Sequence, residues 1–275
     1  IWGTLGYMVA EVWNNNQVIN DTAYGTDDAP ALSSAFDFMR RYGVVKALAV
    51  EESGASADGT QLDASWNSIS SYPHHAMPNL MLGNHDLVRF GDLIERGKKG
   101  DYWKRHKAAI SFLGAWSGPV TLYYGDEIGD QVEGFAEKVT ENCAEQGLCD
   151  DHVARSSAKV LGVSVNSLTT EQADLKAWVT KLFDIRATHP ALYSGERSNL
   201  AVTADLYVDL KQADDEQIVY LLNVSEENKH YDLDTARLNA DNRLVDLMTG
   251  EVITNAGGTL SIAMPALTGR FLLVK

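Results

Sequence analysis

The sequence predicts an α/β domain with a parallel sheet over residues 1–198, followed by a small antiparallel β domain over residues 199–275. Three observations predict it. Up to about residue 196, short apolar runs alternate with helix-period segments, and buried strands joined through helices indicate a parallel sheet. Beyond that point the chain reads as strands separated by turn residues. Its 275 residues, 45% of them apolar, suffice for one large domain with a smaller one beside it.

The elements follow in order. GYMVAEV (6–12) is a short apolar run opened by Gly6 and reads as a buried strand. ALSSAFDFMRRYGVVKALA (31–49) holds a short strand and then a helix. NLMLGN (79–84) is a second buried strand. In YWKRHKAAISFLGAW (102–116), helical spacing gathers Ile110, Phe112, Leu113 and Trp116 toward one side, and Gly118-Pro119 stops the helix. VTLYYG (120–125) is a third buried strand, and a long loop runs on to about Ser167. Thr169 and Gln172 form a capping-box pattern before a helix whose stripe is Leu175, Trp178, Val179, Leu182 and Ile185. That helix ends at His189-Pro190, since proline disfavours helix in the residue before it. Strands are then expected in LYVDLKQ, QIVYLLNV, RLVDLMTG, TLSIAMP and RFLLVK.

Charge narrows the function. The net charge is −15, with 38 acidic against 23 basic residues, which opposes binding to a nucleic-acid backbone. No uncharged apolar run approaches the roughly 18 residues that span a bilayer, so no membrane partner is expected. A neutral substrate suits this surface. Cys143 and Cys149 lie in a loop-like stretch that fits no common zinc spacing; a disulfide and two free thiols are both compatible with it.

In a parallel α/β barrel the catalytic groups stand at the C-terminal ends of strands. Glu11 and Asp86 both occupy such ends, about two βα units apart in a barrel whose eight units fill roughly 250 residues. They would face one pocket, with Asp126 and Glu127 just past the next strand. Paired carboxylic acids suit glycosidic cleavage: one protonates the leaving oxygen, and another attacks the anomeric carbon or activates water. Added negative charge stabilises the cationic transition state. Taken singly, an acid at a strand end is commonplace, and Asp126 and Glu127 read as structural. His74-His75 reads as a solvated pair, because no carboxylate or third histidine stands at ligand spacing in the sequence.

The combination resembles the C-terminal half of the α-amylase family of glycoside hydrolases. VAEVW resembles that family's fifth-strand motif, LMLGNHDLVR its seventh and GPVTLYYGDEIG its eighth. LFDIRATHPALYSGE resembles the last barrel helix and its exit, and the tail resembles domain C. The resemblance implies the C-terminal half, strands 5–8, of a TIM (β/α)8 barrel, followed by an antiparallel, β-sandwich-like domain C. It implies Glu11 as general acid/base and Asp86 as the carboxylate that stabilises the transition state. His85 would bind the same sugar, Trp13 would line an acceptor subsite, and Asn84 and Arg89 would shape the site. Arg89 is also placed where it would orient nearby carboxylates and contact substrate.

The family's nucleophile, a fourth-strand aspartate, has no counterpart in the sequence, and neither has the third-strand Asn-His motif. The chain is therefore expected to be part of a longer or nicked enzyme, to need the missing N-terminal half of the barrel as its partner, and to be inactive alone. Exposed strand edges of a half barrel support that expectation. The implied activity is retaining hydrolysis of α-1,4-glucans such as starch and maltooligosaccharides. Transglycosylation by the same residues, and a catalytically inactive amylase-like binding protein, are the alternatives. The visible residues require no cofactor; calcium in the full-length enzyme is implied by the family alone. Polymer substrates and the cysteine pair favour a periplasmic or secreted protein over a cytoplasmic one.

Overall fold

Four short extended segments lie side by side in chain order and pair in parallel. Ala10 bridges Ala35, Phe36 bridges Asn79, and β1 (Leu80–Met81) pairs with β2 (Val120–Thr121). The computed structural model describes residues 6–67, 70–132, 155, 167–238, 243–254 and 258–275. Cys143 and Cys149, and most of the long loop before Ser167, lie outside the described residues.

Each parallel segment is shorter than the apolar run that announced it, for identifiable reasons. Pro78 and Pro119 lack the N–H that would extend β1 and β2 backwards, although the Pro119 carbonyl still accepts from Leu80 N at 3.1 Å. Past β1, the Leu82 carbonyl is diverted to the Arg41 side chain at 2.9 Å. Past β2, Asp126 takes the Tyr123 amide at 3.1 Å and folds the chain into a turn. The expected first strand, 6–12, makes one bridge rather than a ladder. Ala10 N donates to Ser34 O at 2.9 Å and Ala10 O accepts from Phe36 N at 3.0 Å.

Helices cover this sheet. α1 (Asn16–Ile19) and a π-helical turn (Asn20–Tyr24) follow the first segment. α2 (Phe38–Leu48) follows the second, started by Asp37, whose carboxylate accepts from Arg40 N at 2.9 Å. Next come α3 (Thr60–Asn67), α4 (Phe90–Arg96), α5 (Tyr102–Gly114) and α6 (Thr170–Thr188). α6 opens with the expected Thr169–Gln172 capping box, and α7 (Pro190–Tyr193) begins at the proline that stops it. The α6 residues Leu175, Val179 and Leu182 are buried with Ile110 and Leu113 of α5 in the main core. α5 ends at Gly114, so Trp116 reaches the same core from the following turn. Arg186 closes this corner by donating to the carbonyls of Gly114, Trp116, Gly118 and Leu192.

The tail forms a six-stranded antiparallel sheet and a two-stranded one. The larger runs in the order β3 (Glu196–Val202), β4 (Leu206–Ala213), β5 (Glu216–Asn223), β10 (Thr268–Val274), β7 (Arg243–Asp246), β8 (Val252–Thr254). The smaller pairs β6 (Lys229–Asp234) with β9 (Thr259–Met264). β3 begins at Glu196, so the expected break at 198/199 falls inside a strand. One face of the large sheet presents Tyr207, Ile218, Tyr220, Leu222, Phe271 and Leu273 to the barrel core. The other presents Val208, Val219, Leu221 and Leu272 to Leu233, Ile262 and Met264 of the small sheet. Burial on both faces explains why β4 and β5 do not alternate in hydropathy. The sheet approaches α5 closely at Gly269, where a methyl group would strike the Ser111 side chain.

Candidate active site

Glu11, His85 and Asp86 come together at the exits of the first and third parallel segments. One side-chain ligand atom from each lies within 4.8 Å of the others. Glu11 and His85 are exposed, and Asp86 is half-buried. The sequence brings these residues together through Asn84, which is buried beneath them. Its side-chain N–H donates to Glu11 Oε1 at 3.1 Å, and its Oδ1 accepts from the Asp86 amide at 2.9 Å. His85 Nε2 stands 3.4 Å from Asp86 Oδ2. Arg155 donates to Asp86 Oδ1 at 2.7 Å and to the His85 carbonyl at 3.2 Å.

Trp13 is exposed two residues beyond Glu11. Its ring stacks on Phe38 with a centroid spacing of 5.7 Å and an interplanar angle of 9°, and its N–H donates to Tyr42 at 2.9 Å. It is a held aromatic surface rather than a loose side chain.

Arg89 is buried behind the site, where it holds the loop after β2. It donates to the Tyr124 carbonyl at 2.8 Å, lies 3.7 Å from Asp130 Oδ2, and sits over the Tyr123 and Tyr124 rings. Asp126 and Glu127 serve the same loop, accepting from the amides of Tyr123 and Gly125. Burial, only partly offset by Arg89, pushes Asp126 up to about 7.

Two features escaped the sequence. The first is Arg41, buried on α2. It donates to the carbonyls of Leu82 and Val88, at the two ends of the loop carrying His85 and Asp86, and makes a bidentate pair with Glu52 at 2.8 and 2.6 Å. Its partners are far away in sequence, so no local motif announces it. The second is a partner for His74, which is solvent-exposed as expected but stands 3.0 Å from the carboxylate of Asp27. Sequence spacing missed this pair because the loops meet only in the fold.

The cluster of Glu11, His85 and Asp86 supplies two carboxylates and one imidazole. That set does not fit calcium, which takes roughly six to eight oxygen ligands. Among the described residues no helix is long and apolar enough to cross a membrane.

Carboxylates and a histidine gathered past the C-terminal ends of parallel strands stand where α/β-barrel proteins carry their sites. A sequence model of the alpha-amylase catalytic domain matches residues 5–192, and the chain belongs to the alpha-amylase family of glycoside hydrolases. Its fold is the C-terminal half of the barrel followed by domain C. It is similar to AmyP, solved as a Glu-to-Gln variant in complex with maltotriose, with 49% identity and a TM-score of 0.91 over 98% of this chain and 56% of that one. AmyP in complex with maltose matches with 49% identity and a TM-score of 0.91, over 98% and 55%. The α-amylase of Geobacillus thermoleovorans complexed with acarbose shares the fold at 19% identity, with a TM-score of 0.77 over 98% and 53%. The chain thus spans about half the length of these relatives.

Proposed function

We propose that this chain supplies the acid/base half of the active site of a retaining α-1,4-glucan hydrolase. The observation that carries the reading is the convergence of Glu11, His85 and Asp86, with Asn84 bonded to both acidic residues. Glu11 is the proton donor to the glycosidic oxygen and then the base that activates water. The Asn84 amide fixes the orientation of its carboxylate. Asp86 faces the sugar hydroxyls and stabilises the oxocarbenium-like transition state, while His85 hydrogen-bonds the same sugar. Trp13, flat and exposed, offers a stacking surface on the acceptor side. Arg89 and Arg41 act beneath the site by holding the loops that carry it.

The nucleophile of this mechanism is an aspartate from outside these 275 residues, about 5–5.5 Å from Glu11 in the assembled site. The chain by itself would then be inactive. The maltose and maltotriose complexes of AmyP, 49% identical, support an α-glucan as the substrate class.

Glu11→Gln in the intact protein tests the assignment. Starch hydrolysis should fall by about 10²–10⁴-fold, the usual contribution of a general acid. Unchanged activity would remove Glu11 from the mechanism. NMR of the first product from a maltooligosaccharide should show the α-anomer; a β-anomer would exclude retention, and products longer than the substrate would indicate transfer.

A further inference from the structure

A cavity of about 680 Å³ opens beside Trp13, between the segment that follows Glu11 and the outer faces of α2 and α3. Its volume lies within the roughly 300–1,000 Å³ range of small-molecule sites. Its wall includes Asn15, Gln17, Tyr42, Lys46, Glu51 and Gln61. We propose that this cavity is a second α-glucan-binding site, separate from the sugar position at His85 and Asp86. The proposal takes its ligand class from the function proposed above.

The chemistry of the wall selects a neutral polyhydroxylated ligand. Tyr42 and Lys46 lie one helical turn apart on α2, and both reach the cavity. The Tyr42 hydroxyl accepts from Trp13 at 2.9 Å, which leaves its own proton to be donated and links the cavity wall to the aromatic surface beside Glu11. Lys46 and Glu51 form an ion pair at 3.3 Å, so the cavity carries donors and acceptors with their charges matched. The amides are oriented. Asn15 Oδ1 is committed to Val18 N at 3.1 Å, which directs its NH₂ outward, and Gln17 gives its NH₂ to Asp21 at 2.8 Å, which leaves its carbonyl. A matched ion pair flanked by amides and a tyrosine suits the vicinal hydroxyls of a sugar, each both donor and acceptor. A phosphate would meet one lysine already paired with a carboxylate, and a wholly apolar ligand would cover the remaining donors and acceptors of these groups without bonding them.

Calorimetric titration of the intact protein with maltotriose tests this. The Glu11→Gln background slows turnover by about 10²–10⁴-fold, so that binding is read without hydrolysis of the ligand. Two sites are expected in that background. Adding Gln61→Ala and Lys46→Ala should weaken one by about tenfold, as loss of two hydrogen bonds predicts. Adding His85→Ala instead should weaken the other. Gln61→Leu with Lys46→Met, which keeps side-chain bulk, should reproduce the first loss, and thermal unfolding of each variant confirms folding. A single site, lost with His85→Ala and untouched by the Gln61 and Lys46 changes, overturns the second site and leaves the active-site reading standing. Absence of maltotriose binding in every variant, with no starch cleavage by the parent protein, overturns both.

Discussion

Asn84 donates to Glu11 Oε1 at 3.1 Å from a position where its other amide atom already holds the backbone of Asp86 at 2.9 Å. One buried amide therefore sets the spacing between two acids on different strands. In the intact protein, Asn84→Ala should lower kcat by about 10²-fold with little change in KM, the scale of loss expected for a misplacement of about 1 Å. Steady-state kinetics on maltooligosaccharides decides it: a rise in KM at constant kcat would mean that Asn84 serves substrate binding instead.

Arg41 should matter to turnover in the intact protein although it lies beneath the residues nearer the substrate. Its guanidinium reaches Leu82 O, Val88 O and both oxygens of Glu52, a planar four-way arrangement that an ammonium group cannot reproduce. Arg41→Lys should cut kcat about tenfold at temperatures well below unfolding, because the His85–Asp86 loop loses its fixed ends. Glu52→Gln, which keeps an acceptor for Arg41, should do less. Equal, small effects from both changes would reduce Arg41 to a packing residue.

The meeting of Glu11 and Asp86 was legible in the sequence, because each follows an apolar run and strand exits in a parallel sheet share one face; His85 came in only with the Asn-His-Asp motif. α6 was readable through its capping box and its terminal proline, both local signals. Strand lengths were not readable, because they end where side chains such as Arg41 and Asp126 divert backbone groups, and those are tertiary events. β6 (KHYDLD) escaped notice because only Leu233 of the strand is buried, leaving too little apolar periodicity. β3 was hidden in the same way by its exposed polar positions. The role of Arg89 was also tertiary: the residue closely follows the Asn-His-Asp motif, yet its side chain turns inward to Tyr124 and Asp130.

That inward turn makes Arg89 a stability determinant. Its side chain is 2% exposed and pairs with the nearly buried Asp130. Arg89→Leu removes the cation and leaves the Asp130 carboxylate without this partner, a loss of about 3–5 kcal/mol for a buried pair. At roughly 2–4 °C per kcal/mol for a domain of this size, Tm should fall by at least about 6 °C. Differential scanning calorimetry checks this, and an unchanged Tm would show that Tyr124 and Asp130 are held by other groups.

Asp92, at the start of α4, gives the fold a pH dependence of definite sign. Burial pushes its carboxyl up from 3.8 to about 7, against the opposing effect of the Val132 amide bonded to it at 3.0 Å. Between about pH 4 and pH 7 the folded state keeps a proton that the unfolded chain has released, so stability falls as pH rises through this window. Below it, the acid is protonated in both states and the penalty vanishes. In the Asp92→Asn variant the side chain cannot ionise, and its carbonyl can still accept from Val132. Asp92→Asn should therefore raise Tm relative to the parent at pH 8, and the difference should shrink by several degrees toward pH 4. Asp126, also pushed up to about 7 by burial, adds a second contribution in the same window, so Tm should still slope with pH in the single variant and flatten further with Asp126→Asn. A Tm difference independent of pH would mean that Asp92 is already ionised in the folded protein near pH 4, held by a cation rather than strained by burial.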